Sequence, residues 1–359
     1  MTSPLSDKTM RAAVYRGPGD IRVEEVALPD LGPTDVLLRV VNCGICGSDL
    51  HSYQSGQFVE SGQVLGHEFV GQVAAAGRDV LGIPEGVRAT GFSIGICGEC
   101  YWCQRAQYNL CPRLFRASTG YGLPGGFAEY VLIPSAQAGI NVHLIPDSVS
   151  DEAAALTEPV SVAVGTISEA RIHEGDSVVV LGGGAIGNAC LQVAKASGAG
   201  KVVLVDISPL RLDAARAVGA DAVFDASEGG ALEWVQQQVG VGKFHFGEGA
   251  MADVVIEAAG SPITVAQSFD MVRSGGTIAF VALSSGPSLI ETNRIVHKTP
   301  RIVGCLAGDF PRSIELIASG AVSTAPLITH RIGLEDITTA FETASDSSTA
   351  IKTLVTVAR

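Results

Sequence analysis

The chain has 359 residues, of which 47% are hydrophobic and 17% charged, and it carries a formal net charge of −13. That length and composition support two domains with buried cores. The acidic balance and the lack of any Lys/Arg run exclude a polyanionic partner such as nucleic acid, and no apolar run reaches the roughly 18 residues of a membrane span. The polar start, Met1 to Met10, reads as a tail and not as a signal peptide, so a cytoplasmic location is expected. There the eight cysteines are expected as thiols or metal ligands rather than disulfides, and six of them fall between Cys43 and Cys111.

In chain order, short apolar runs at 11–15, 21–26 and 36–41, separated by Pro/Gly turns, predict an antiparallel β region. It leads into Gly44-Ile-Cys-Gly-Ser-Asp-Leu-His51 and then into the pair His67-Glu68. Taken singly, Cys43 reads as a small buried thiol and a His-Glu pair as a solvated turn. Together Cys46, His67 and Glu68 offer a thiolate, an imidazole and a carboxylate, and a catalytic zinc needs about three such ligands plus an open position. Next, Cys97, Cys100, Cys103 and Cys111 place four soft ligands around one tetrahedral ion, in a lobe (about 95–113) too poor in apolar residues to fold alone. The C-x2-C-x2-C opening and the Cys111-Pro112 ending also admit an iron–sulfur cluster, although no second electron carrier accompanies it. Residues 125–134 read as a closing strand. Residues 147–170 read as helical, started by Ser150-Asp-Glu, with Glu158-Pro159 inside. By itself Glu158 is a helix-surface carboxylate.

Beyond residue 172 the pattern changes to alternating strands and helices, with short apolar strands at 178–181, 202–205, 222–224, 254–258 and 277–282, as in a doubly wound parallel sheet. The first strand empties into Gly182-Gly-Gly184-Ala-Ile186-Gly187, a Gly-x-Gly-x-x-Gly turn, and the second ends at Asp206, 19 residues after Gly187. Glycine permits a tight turn and close approach of backbone to a pyrophosphate, while the following helix N-terminus favours its charge. Asp206 is placed to bond ribose hydroxyls and to repel a 2′-phosphate, which favours NAD over NADP; Arg211 lies near enough to leave a case for NADP. Ala258 and Val281 end two further strands, where their backbones would line the cofactor cleft. Residues 242–249 form an insertion with no assigned role. His143, His173, His245, His297 and His330 have no ligand-like neighbours in the sequence.

The Cys46 motif, the Gly66-His-Glu68 segment and the glycine turn resemble the zinc-dependent medium-chain alcohol dehydrogenases, especially their polyol and butanediol branch, over nearly the whole chain. The resemblance implies an α/β protein with a GroES-like β catalytic domain (1–160), a Rossmann NAD-binding domain (161–288) and a C-terminal segment (289–359) returning to the catalytic domain. It implies that Cys46, His67 and Glu68 hold the catalytic zinc, that Ser48 and His51 carry the alcohol proton away, and that the four-cysteine lobe holds a second, structural zinc. Many relatives have a cysteine ligand where this chain has Glu158, and the polyol branch has this Glu-Pro pair. Glu158 is therefore expected as a fourth ligand or as an acid exchanging with the zinc-bound water, and the choice between it and Glu68 stays open. Tyr53, Phe58 and residues 92–94 are expected to line the substrate pocket between the domains, and a homodimer or homotetramer is expected. The rival from another class is a dinucleotide-binding protein without dehydrogenase activity; its mark would be missing ligands, and none is missing here. A zinc-free quinone reductase relative is disfavoured by Cys46, His67 and the cysteine lobe.

Overall fold

The computed structural model describes residues 9–92, 96–245, 247–284, 286–306 and 308–357. Apolar residues recurring along β1 (Thr9–Gly17) and β2 (Asp20–Ala27) make an antiparallel pair. Then come β3 (Val36–Gly44), α1 (Gly47–Ser55), β4 (Glu68–Ala76), β5 (Arg88–Gly91), β6 (Tyr130–Ile133) and β7 (Val142–Leu144). The helical stretch that follows forms in two pieces, α2 (Asp151–Ala155) and α3 (Thr157–Ala170). Ser150 starts the first, its hydroxyl accepting the Ala153 N–H at 3.2 Å. Pro159 explains the break at Leu156: it has no N–H to continue a helix from α2, yet it is well suited to the first turn of a new one.

Strands and helices then alternate as β8 (Ser177–Leu181), α4 (Ala185–Ala196), β9 (Lys201–Asp206), α5 (Pro209–Ala217), β10 (Ala222–Asp225), α6 (Ala231–Val239), β11 (Val241–Phe244), β12 (Gly247–Ala250), β13 (Ala252–Glu257), α7 (Pro262–Met271), β14 (Val272–Phe280), α8 (Thr292–Lys298), β15 (Arg301–Gly304) and α9 (Phe310–Ala318). Six of the strands form a parallel sheet in the order β10-β9-β8-β13-β14-β15. Its core strands are apolar throughout because helices cover both faces; Val178, Val203 and Val255 are fully buried. The strand order reverses between β8 and β13, where the carboxyl ends of such sheets bind ligands. The last elements are β16 (Ile328–Gly333), α10 (Ile337–Ser345) and β17 (Lys352–Thr356). The second sheet runs β16-β17-β3-β4-β5-β7, with β6 also on β3, and packs around Phe69, Phe127 and Phe341.

The fold is thus the expected α/β pairing of a β domain with a doubly wound parallel sheet. One compact unit takes the chain up to Glu158, Ile328–Asp346 and the residues from Lys352 on; the other takes Pro159–Leu327 and Ser347–Ile351. The return to the first unit comes at Ile328 and not near 289, because the parallel sheet gains a sixth strand, β15. That strand alternates half-buried and exposed residues, unlike the continuous apolar runs of the inner strands. Within the 242–249 segment, Gly242–Phe244 of β11 pair antiparallel with Gly247–Gly249 of β12. Residues 1–8 of the tail and the pocket candidate Ile94 lie outside the described residues. No described helix is long and apolar enough to cross a membrane.

Candidate metal centres and cofactor turn

Cys46 precedes α1 in an extended conformation (φ −90°, ψ 156°). The buried Asp49, in the first turn of that helix, ties it to the β4 segment: Oδ2 accepts the Cys46 N–H at 2.9 Å, Oδ1 accepts the Gly66 N–H at 3.3 Å, and Oδ1 lies 3.5 Å from His67 Nδ1. His67 Nδ1 is buried without a hydrogen bond of its own. With that nitrogen turned toward a carboxylate, Nε2 is the one offered to a metal ion. Burial disfavours the charged ring, yet Tyr121, Asp49 and Cys46 around it more than offset this, and the His67 pKa is raised well above the usual value.

Glu68 opens β4 opposite Gly44 on β3. A Cβ at Gly44 would fall 2.2 Å from Glu68 Oε2, so a side chain there would displace the carboxylate from its present position. Both Glu68 oxygens accept from Lys352 Nζ, at 2.7 and 2.6 Å, and the same ammonium donates to Ile45 O at 2.9 Å. Lys352 and Glu68 are both buried. The ligand atoms of Cys46, His67 and Glu68 lie within 4.8 Å of one another, and a thiol, an imidazole and a carboxylate at that separation fit zinc. Glu158 is outside this set. Burial raises its carboxyl pKa to about 7, with His67 and Lys352 opposing and Glu68 and Asp49 adding to the shift.

Ser48 and His51 sit three residues apart on α1, so both fall on one helix face. Ser48 Oγ accepts a 2.8 Å hydrogen bond from the Tyr121 hydroxyl, and the exposed His51 has Nε2 3.2 Å from Gln57 Oε1. Tyr121 escaped the sequence reading. Its ring lies 5.1 Å from the His67 ring, and burial pushes its pKa up to about 12, so the phenol remains a donor. The Phe92 ring is 6.5 Å from His67, and Phe58 is 71% exposed. Tyr53 is corrected from pocket to core: it is buried against Phe341, 4.9 Å between centroids, with its hydroxyl donating to Gly19 O at 2.9 Å.

The four sulfurs of Cys97, Cys100, Cys103 and Cys111 also lie within 4.8 Å of one another, and those of Cys97 and Cys103 are 3.8 Å apart. Sulfurs bound at 2.3 Å to a tetrahedral ion are separated by about 3.8 Å, so the lobe fits zinc. Backbone hydrogen bonds at Glu99 and Cys100 lower the Cys97 thiol to about 6, which favours a thiolate ligand, while burial raises Cys103 to about 12. Among the described residues the chain around these sulfurs makes short 3-10 turns, Tyr101, Tyr108 and Leu110 stay exposed, and no apolar core supports the lobe. Among the described residues, the six other histidines join neither donor set.

In the parallel-sheet unit, Gly182 adopts φ +100°, and a Cβ there would meet Ala259 N at 2.7 Å. A Cβ at Gly187 would lie 1.8 Å from Gly182 O, so helix and strand approach too closely for any side chain. Gly184 caps α4 with open space beside it, and Ile186 follows in the first turn, half-buried. Backbone N–H groups there face an anion favourably. Asp206 Oδ2 accepts the Gly183 N–H at 2.5 Å, and its Oδ1 accepts those of Ile207 and Ser208 at 2.7 and 2.8 Å. Arg211 Nη1 is 4.0 Å from Asp206, and its Nε is buried without a partner. Ala258 N–H donates to Leu181 O at 2.8 Å and Val281 N–H to Glu257 O at 3.0 Å, which fixes both strand ends. The buried Glu257, another residue the sequence did not single out, accepts from Ala259 N–H, Gly260 N–H and the Thr264 hydroxyl and so staples the loop after β13.

Comparison with known proteins follows this division. The alcohol dehydrogenase GroES-like domain matches residues 32–147, and the zinc-binding dehydrogenase family matches residues 185–319. The sorbitol dehydrogenase of Bacillus subtilis is 34% identical over 344 residues, covering 94% of each chain. An L-threonine 3-dehydrogenase of Sinorhizobium fredii is 36% identical over 329 residues, covering 89% of this chain and 90% of the relative. The crystal structure of a zinc-binding dehydrogenase from Sinorhizobium meliloti, bound to NADP, superimposes with a TM-score of 0.87 at 33% identity, covering 98% of this chain and all of the other. With a match of this extent laid over a Cys/His/Glu set, a four-cysteine lobe and a dinucleotide turn, the chain belongs to the zinc-dependent medium-chain alcohol dehydrogenase family and is an NAD(P)-linked zinc dehydrogenase.

Proposed function

We propose that the protein oxidises a secondary alcohol, vicinal diol or polyol with NAD, and reduces the matching ketone, as a cytosolic homodimer or homotetramer holding two zinc ions per chain. The observation that carries this is the convergence of Cys46, His67 and Glu68, with Cys46 at the N-cap of the helix whose first turn holds Ser48. Zinc, when bound, supplies a Lewis acid for an alcohol oxygen. Cys46, His67 and Glu68 hold it, Asp49 orients the first two, and Lys352 steadies the third. Ser48 takes up the alcohol proton while passing its own toward His51, whose exposure opens the route to water. Glu158, whose carboxyl pKa is pushed up by burial in the metal-free protein, would serve beside the same centre as a fourth ligand or as an exchangeable acid. Cys97, Cys100, Cys103 and Cys111 hold the structural ion. Gly182, Gly184, Ile186 and Gly187 cradle the pyrophosphate, Ala258 and Val281 border the nicotinamide half, and Asp206 binds the ribose. A homo-oligomer is supported by the edge strand β15, where Ile302 is exposed, and by the exposed apolar residues Leu283, Leu289, Val296 and Leu306 before and after it in the chain.

The test is NADH formation with a panel of secondary alcohols, diols, polyols and L-threonine. Turnover of at least one is expected, and none with any member contradicts the proposal. Catalytic efficiency with NAD should exceed that with NADP by about tenfold or more, because a 2′-phosphate would meet the Asp206 carboxylate. Asp206→Ser should narrow that gap; equal efficiencies in the native enzyme would transfer control of the site to Arg211. His51→Gln should slow oxidation about tenfold, or roughly 1.4 kcal/mol of barrier, with partial recovery in added imidazole. An unchanged rate would remove His51 from the relay.

A further inference from the structure

The turn at residues 119–122 is pressed against the backbone that carries His67. Gly120 has φ +80°, and a Cβ there would meet Gly66 O at 2.8 Å. At Gly125 a Cβ would lie 2.3 Å from Gly66 O, and the Gly126 N–H donates to that same oxygen at 2.7 Å. The turn closes on itself through Tyr121 N–H and Leu123 N–H, both donating to Ser118 O. These close approaches fix the Tyr121 ring, which is wedged between His67 and Phe115 at centroid distances of 5.1 and 5.2 Å. They also bring its hydroxyl to 2.8 Å from Ser48 Oγ, 73 residues away in sequence.

A serine hydroxyl has one hydrogen and two acceptor positions. Tyr121 fills one acceptor position of Ser48. The other acceptor and the hydrogen are then left for two further partners, with the rotor fixed about the Cβ–Oγ bond. We propose that Tyr121 is a positioning residue that sets the Ser48 hydroxyl for proton transfer from the alcohol; this rests on the relay proposed above. In that step a bond forms between Ser48 Oγ and the alcohol proton as the original Ser48 O–H bond breaks, and the released proton moves to the next acceptor toward His51. The Tyr121 O–H stays intact throughout.

The test is a cycle of Tyr121→Phe, Ser48→Ala and the double variant, each checked for zinc content and fold. Tyr121→Phe keeps both ring contacts and removes only the hydroxyl. Its kcat for oxidation should fall by about three- to tenfold, the worth of one neutral hydrogen bond, with KM nearly unchanged. In the Ser48→Ala background the same change should have no further effect. In metal-free protein labelled at tyrosine, the hydroxyl-bearing ring carbon of Tyr121, identified by its loss in Tyr121→Phe, should shift in the NMR spectrum when Ser48 is replaced. An equal loss of kcat in both backgrounds, an effect on KM alone, or an unmoved resonance overturns the proposal. If Ser48→Ala retains full kcat, the relay itself falls and the role of Tyr121 falls with it; a deficient Ser48→Ala beside a fully active Tyr121→Phe refutes the role of Tyr121 alone.

Discussion

Replacing Cys46 by serine should lower alcohol oxidation by about a thousandfold or more while the protein keeps its fold. The thiolate is the softest donor in the set with His67 and Glu68, and a serine hydroxyl, neutral at working pH, is a poor substitute. The loss should appear together with one zinc ion per chain, leaving the four-cysteine ion in place. Cys100→Ser should act in the opposite order. That sulfur helps fold a lobe without an apolar core, so thermal stability should fall first and activity with it. Metal analysis, unfolding curves and turnover on the two variants check this. A fully active Cys46→Ser protein would remove the proposed centre.

Lys352→Met should cost about 3–5 kcal/mol in the metal-free protein, or a fall in Tm of roughly 5 °C. Lys352 and Glu68 are both buried, and the ammonium contacts both carboxylate oxygens and Ile45 O. Removing only the cation strands a carboxylate in a low-dielectric interior, which costs far more than the net worth of the pair. Lys352→Met combined with Glu68→Gln should therefore regain most of the stability, since no bare charge remains. Zinc should lessen the loss in the single variant by giving Glu68 another cationic partner. Thermal unfolding of both variants, with and without zinc, reads these differences. A cost below about 1 kcal/mol in the single variant would mean that Glu68 is already neutralised by another group.

What the sequence revealed and what it hid divide by the range of the interactions. Gly182, Gly184 and Gly187 were legible because turn, helix cap and close packing act within six residues, and the four cysteines because one ion fixes their spacing. Ser150 was legible as a cap for the same local reason. Lys352 was not, because its partner lies 284 residues away and a lone lysine at the start of an apolar strand carries no local signal. Tyr121 was hidden likewise, since a glycine-lined turn had to be folded against Gly66 before its hydroxyl met Ser48. Asp49 stood inside a recognised motif, but its bonds to both Cys46 and Gly66 emerge only when β4 comes beside α1. Tyr53 was misplaced because an aromatic near a metal motif serves a pocket or a core equally well until Phe341, from the far end of the chain, packs on it. The edge strand β15 was passed over because one side of it lacks a neighbour and so lacks the apolar run of an inner strand.

The most direct measurement follows zinc content and NADH formation in one preparation as metal is stripped by a chelator and then restored. With a substrate from the secondary alcohol, diol or polyol panel, turnover should disappear with the ion held at Cys46, His67 and Glu68 and return in proportion to zinc added back to that site. Undiminished turnover in protein that has lost this ion would contradict a zinc-dependent dehydrogenase centred on Cys46.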